Sequence, residues 1–157
     1  MSYKKRHDKI RRILTHRQPD LTVVMDNVHK PHNVAAILRT CDAVGIPMIH
    51  AIVDRNLFDV RRRAASGAHK WVEVKTYNQV DDAYGLLRDG GFRILTAQCA
   101  GDSQDFRAID YTRPTAIVVG MELDGLTSEA INQADGSMRI PTVGMVDSLN
   151  VSVATAV

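Results

Sequence analysis

Five short apolar runs set the limits on how this chain can fold. They are Leu21-Thr-Val-Val-Met25, Met48-Ile-His-Ala-Ile-Val53, Trp71-Val-Glu-Val74, Phe92-Arg-Ile-Leu-Thr-Ala97 and Thr115-Ala-Ile-Val-Val119. They are too short for buried helices, rich in β-branched residues, and mostly continuous rather than alternating in polarity. A strand of that kind is buried on both faces, as in a parallel sheet covered by helices on each side. The intervening segments carry the other period. Residues 31–44 place Val34, Ile37, Leu38, Cys41 and Val44 on one helical face, with Gly45 and Pro47 as stop signals. Residues 79–88 form a second helix closed by Gly90-Gly91, residues 127–132 a short third, and residues 138–140 a last short strand. Residues 54–67 are less regular and read as a loop with a short basic helix over 58–65. The expectation is an α/β fold, a mainly parallel sheet flanked by helices.

A chain of 157 residues, 45% of them hydrophobic, can build one such domain. Its net charge of +2 hides an uneven distribution. Residues 3–16 read as a helix with a narrow apolar stripe of Ile10, Ile13 and Leu14. Along the first seventeen residues Lys4, Lys5, Arg6, Lys9, Arg11, Arg12 and Arg17 face a single acid, Asp8. Arg61, Arg62 and Arg63, followed by His69 and Lys70, make a second basic cluster. Two patches on a nearly neutral chain suit a nucleic-acid backbone, although each alone is also what a solvated surface looks like. Cys41 and Cys99 have neither disulfide-framework nor zinc spacing, and the six histidines show no ligand pattern. No signal peptide or membrane-length apolar run is present, so a reduced, cytoplasmic setting is expected. The last segment stops two turns into a helix without a cap, the pattern of a truncated chain.

Familiar catalytic signatures are missing. No GxGxxG follows the first strand, and Gly120-Met-Glu-Leu-Asp-Gly125 has P-loop glycine spacing without the Lys-Ser/Thr that grips phosphate. Three strand-to-helix junctions remain, at residues 27–33, 120–127 and 141–150. In an open α/β sheet such junctions gather beyond the C-terminal strand ends, where ligands bind. The first holds Asn33, with Arg39 nearly two turns on. Helical side chains tilt toward the N-terminus, so Arg39 can reach back to the junction or pair with Asp42 on the surface. The second holds Glu122 between glycines. The third holds Ser148 and Asn150, which are either helix caps or ligand groups on a Gly-rich turn.

Asn33-Val-Ala-Ala-Ile-Leu-Arg-Thr-Cys-Asp-Ala-Val-Gly45, Ile117-Val-Val-Gly-Met-Glu-Leu-Asp-Gly-Leu-Thr127 and residues 140–154 resemble the three motifs of the SPOUT class of RNA 2′-O-ribose methyltransferases. The likeness is strongest to the branch acting on guanosine 18 of the tRNA D-loop. It runs over essentially the whole chain, including Asp105-Phe-Arg-Ala-Ile-Asp-Tyr-Thr-Arg-Pro114. Asp124 and Asp147 stand at positions that vary among members.

The resemblance implies a deep C-terminal trefoil knot, which strand patterning would not suggest because chains ordinarily avoid threading. It implies S-adenosylmethionine as cofactor, tRNA as partner, a homodimer, and neither metal nor membrane. Residues 1–19 would be a basic helical extension on a domain spanning 20–157, with a customary C-terminal extension lacking. Asn33, Arg39, Glu122, Ser148 and Asn150 would be catalytic. Thr96, Ala97, Gly120, Ile140, Ser148, Leu149 and Asn150 would hold the cofactor. RNA would lie on Lys4, Lys5, Arg6, Arg11, Arg12, Arg61, Arg62 and Arg63. The reaction would be attack of a ribose 2′-hydroxyl on the sulfonium methyl. Arg39 would serve as the base or, since a guanidinium pKa lies above about 12, as a clamp on phosphate and alkoxide. Ribosomal RNA as substrate, or a non-catalytic RNA-binding role, are the alternatives.

Overall fold

The computed structural model describes residues 3–53, 71–99 and 101–157. In chain order the elements are α1 (Tyr3–Leu14), β1 (Leu21–Asp26), α2 (Pro31–Val44), β2 (Met48–Ile52), β3 (Glu73–Tyr77), α3 (Val80–Asp89), β4 (Arg93–Ala97), β5 (Gln104–Asp105), β6 (Thr115–Val119), α4 (Ser128–Gln133), β7 (Gly136–Arg139) and α5 (Val151–Ala156). Among the described residues, seven strands form one sheet in the order β3-β2-β1-β6-β4-β7-β5. Every adjacent pair is parallel. The α/β expectation with a mainly parallel sheet is met.

Burial follows from the pleat. Val23 and Met25 point to the side covered by α2, where they pack with Val34, Ile37, Leu38, Cys41 and, from α5, Val151. Their neighbour Val24 faces the opposite side with Ala116 and Val118, against Val80, Ala83, Tyr84 and Leu87 of α3 and Ala130 of α4. Successive strand residues thus serve two different cores, which is why these runs are continuously apolar. Helix α2 ends as expected at Gly45, whose φ of 86° suits a residue without a Cβ.

Several boundaries differ from the sequence expectation. The third strand begins at Glu73 rather than at Trp71, which is 54% exposed. Among the described residues β3 is an edge strand paired with β2 alone, so it needs no unbroken apolar run, and its polar residues hid its true span. Val44 does not share the α2 core face but is largely exposed, its carbonyl taken by the Gln18 side-chain amide at 3.0 Å. The two-residue strand β5 is too short to carry a pattern and is held by pairing with β7. The basic helix expected over 58–65, with Arg61, Arg62 and Arg63, lies outside the described residues.

Strand order does the positioning. The chain builds β1, β2 and β3 outward in one direction, then crosses to β4, leaving a place beside β1 that β6 fills later. It returns once more so that β7 inserts between β4 and β5, after which α5 comes back to pack on α2. Four neighbouring strands, β1, β6, β4 and β7, therefore end side by side with their following loops at the same edge. That edge is where the direction of sheet-building reverses.

Candidate active site

The second junction is a closed ring of chain. Met121 N–H donates to the Gly125 carbonyl at 2.9 Å, and Gly125 N–H donates back to the Met121 carbonyl at 3.0 Å. A Cβ on Gly120 would lie 2.3 Å from the Gly125 carbonyl oxygen, so only glycine lets the ring close on the strand end. The ring is anchored from β1. Fully buried Asp26 accepts hydrogen bonds from Thr127 N–H at 2.7 Å and Thr127 Oγ1 at 2.9 Å, while its other oxygen accepts from Asn27 Nδ2 at 3.0 Å. Thr127 in turn caps α4, its hydroxyl accepting from Ala130 N–H.

Between these anchors Glu122 projects to a polar cluster. Asn150 caps α5, its Oδ1 accepting from Ser152 N–H at 2.9 Å and Ser152 Oγ at 2.6 Å. Its Nδ2 donates to Asn33 Oδ1 at 3.2 Å and to Glu122 Oε1. Lys30 completes the cluster with an ion pair to Glu122 Oε2. Hydrogen bonds from Lys30 and then Asn33, with Lys30 and His32 charge nearby, hold the Glu122 carboxyl below the usual carboxylate range. Glu122 is therefore ionised at neutral pH and acts here as an acceptor, not a proton donor.

Beside this cluster opens a cavity of about 370 Å³. Its floor is largely apolar, from Ala97, Val119, Leu126, Met138, Val151 and Ala154, and its polar groups come from the ends of β4 and β7 and from the loops after β6 and β7. The size and lining suit a nucleoside-sized ligand. A second, smaller cleft of about 60 Å³ lies between Val28, His29, Lys30 and Asn33 on one side and residues 121–124 on the other. Glu122 lines both. Cys99 ties the β4 end to the third junction, its Sγ donating to the Asp147 carbonyl at 3.1 Å.

Asn33, Glu122 and Asn150, more than a hundred residues apart at the extremes, are brought together by the fold. Ala97, Gly120, Ile140, Ser148 and Leu149 line the large cavity. Thr96 does not; it is buried in the sheet, its hydroxyl donating to the Gly136 carbonyl at 3.2 Å. Asn150 stands in the polar cluster rather than on the cavity wall. Ser148 lines the cavity and caps no helix, while Asn150 is both cap and cluster member. Arg39 is exposed on α2, away from both cavities and not paired with Asp42. Lys4, Lys5, Arg6, Arg11 and Arg12 are exposed along α1. Cys41 is buried, its thiol pushed up to about 12 by desolvation, and both cysteines are free.

Lys30 and Asp26 were not foreseen. Each carried a signal. A lysine at the start of a helix sits at the positive end of its dipole and calls for a nearby anion. An aspartate closing an otherwise apolar strand calls for donors beyond the strand end.

Residues 20–157 match the model of the SpoU rRNA Methylase family. This chain belongs to that family. It is 46% identical over 152 residues to the tRNA (guanosine(18)-2′-O)-methyltransferase of Thermus thermophilus, covering 97% of this chain and 78% of that one. It is 49% identical over 151 residues to the enzyme of the same name from Escherichia coli K12, covering 96% of this chain and 66% of the relative. Among solved structures it is similar to the Aquifex aeolicus TrmH/SpoU tRNA modifying enzyme, with a TM-score of 0.82, 37% identity, and coverage of 98% and 78% of the two chains. An AdoMet-bound rRNA methyltransferase from Sinorhizobium meliloti superposes with a TM-score of 0.78 at 29% identity, over 90% of this chain and 54% of that one.

Proposed function

We propose that this SpoU-family chain transfers a methyl group from S-adenosylmethionine to a ribose 2′-oxygen of tRNA, at guanosine 18 of the D-loop. The observation that carries it is the meeting of Asn33, Glu122 and Asn150 in one polar cluster beside an apolar, nucleoside-sized cavity, with Glu122 on its wall. The names of the relatives at 46% and 49% identity supply the position in tRNA.

The cavity fits the cofactor by size, by its apolar floor for an adenine ring, and by its rim of loop backbone at Gly120, Ile140 and Leu149. When bound, S-adenosylmethionine supplies a methyl group already activated by a sulfonium. The protein's task is then alignment, which can contribute roughly 7–11 kcal/mol. Glu122 and the amides of Asn33 and Asn150 hold one another in place beside the reacting centre. Arg39 is assigned to the phosphate and the developing alkoxide. Its exposed position on α2 accords with delivery to the site of a second copy in a homodimer. So does the apolar surface beside the cavity, where Leu123 is 91% exposed and Val143 and Met145 are exposed essentially fully. The return of the chain from β7 to pack α5 on α2 accords with a trefoil-knotted path. Residues 1–19 serve as a basic RNA-binding extension, and the working compartment is the cytoplasm; among the described residues no helix is long and apolar enough to cross a membrane.

Labelled methyl transfer to bulk tRNA and to ribosomal RNA, with mapping of the modified nucleotide, tests this. Label on guanosine 18 of tRNA is expected. The name of the Sinorhizobium neighbour makes ribosomal RNA the second reading, and label there alone would establish it. RNA binding with no label in either would leave a non-catalytic role.

A further inference from the structure

Lys30 stands where two requirements meet. Its ammonium is paired with Glu122, yet its side chain is 46% exposed against 22% for Glu122. It lines the small cleft and not the large cavity assigned to the cofactor. His29 lines the same cleft, and His32 lies close enough to bear on Glu122. An ammonium at the mouth of a cleft with imidazoles beside it is a place for an anion. Its present partner is Glu122, whose other oxygen holds Asn150.

We propose that Lys30 is a positioning residue operating by ion exchange. In the free protein it occupies Glu122 Oε2. When RNA enters the small cleft, a backbone phosphate takes the ammonium, and Glu122 Oε2 is released to accept the hydrogen bond of the ribose 2′-hydroxyl presented between the two cavities. Glu122 Oε1 keeps its bond from Asn150 throughout, so the carboxylate pivots on a fixed point. No covalent bond changes in this exchange; one anionic acceptor is traded for another, in keeping with the strength of charge-assisted hydrogen bonds to both carboxylate and phosphate. The arrangement keeps the acceptor masked until a phosphodiester is present, which disfavours free nucleosides and water as acceptors of the methyl group.

This rests on the 2′-O-methyltransferase reading, and the experiment separates the two. Lys30→Met and Lys30→Arg are compared with the unaltered chain for S-adenosylmethionine affinity by calorimetry, for tRNA affinity across a salt series by anisotropy, and for kcat and KM in methyl transfer. Lys30→Met is expected to leave cofactor affinity within about twofold and to raise KM for tRNA about tenfold. The salt slope of tRNA binding should fall by about one ion, the signature of one lost phosphate contact. Its kcat should stay within about threefold, because saturating RNA meets a Glu122 that is already unmasked. Lys30→Arg should recover most of the affinity and the slope. A drop in kcat with KM and slope unchanged would make Lys30 only a clamp on Glu122 and overturn the exchange. No change in any parameter would reduce the pair to surface decoration and overturn it equally. If the unaltered chain binds cofactor and tRNA but transfers no label, the functional reading itself fails, while the salt slope still decides whether Lys30 meets phosphate.

Discussion

Glu122 is the residue on which the site turns, and its worth comes from its neighbours. A carboxylate with donors on both oxygens is held ionised and in one orientation, whereas the same residue on a free loop would do neither. Arg39 poses the opposite case, a cation without an ion pair among the described residues. Arg39→Ala is expected to lower methyl transfer about 10²–10³-fold, the cost of losing one electrostatic stabiliser, with cofactor affinity by calorimetry unchanged. Loss of cofactor binding in that variant would remove Arg39 from the reaction. A titration is predicted away from the site. His50 is buried, its Nδ1 within 2.9 Å of Tyr77 Oη, and burial followed by Lys75 lowers its pKa to about 4. The folded pKa lies below the unfolded one, so the neutral ring contributes stability fully above about pH 6.5 and loses it as pH falls toward 4. Urea midpoints should therefore decline from pH 7 to 4.5, and His50→Leu should flatten that decline.

Helices α1 and α2 show how differently two elements use an apolar stripe. The α2 stripe of Val34, Ile37, Leu38 and Cys41 is sealed against the sheet. The α1 stripe is open, with Ile10 39%, Ile13 40% and Leu14 61% exposed, so this helix owes little to burial in its own chain. What docks it is the segment that follows: Arg17 Nη2 donates to the Trp71 carbonyl at 2.9 Å, and Gln18 N–H to the Gly45 carbonyl at 2.9 Å. A deletion meant to probe RNA binding should therefore stop at Leu14 and leave Arg17 in place. Removing residues 1–14 is expected to weaken tRNA binding and reduce its salt dependence, while the thermal midpoint changes little. An unchanged salt slope in the binding series would show that α1 does not track phosphate.

At the scale of the whole molecule, the large cavity is walled by loops but flanked by uncovered apolar side chains, Leu123, Val143 and Met145. Under the proposed homodimer a second copy would cover them, and its Arg39 is the one assigned to the cavity. Subunit mixing tests this directly. Arg39→Ala and Asn150→Ala chains, each expected to be inactive alone, should regain about a quarter of normal activity when unfolded and refolded together. Half of the resulting pairs are mixed, and each mixed pair has one intact site under two-fold symmetry. No recovery, with mixed pairs demonstrated by a size tag, would place Arg39 in its own chain's site.

The alternation of apolar runs with helical stripes determined, from sequence alone, the parallel α/β architecture, because an unbroken β-branched run is stable only where both faces are covered. The resemblance to family motifs marked Asn33, Arg39, Glu122, Ser148 and Asn150 by their places in those motifs. Tertiary structure decided what those residues do to one another. The insertion of β6 beside β1 and of β7 beside β4 depends on pairing between distant segments, and no local period encodes it. Only that order brings Lys30 to Glu122 and Asp26 to Thr127, contacts 92 and 101 residues apart along the chain. It likewise placed Thr96 inside the sheet, exposed Val44, and put Arg39 outside the cavity, since burial at an element's end is set by what the rest of the fold lays against it.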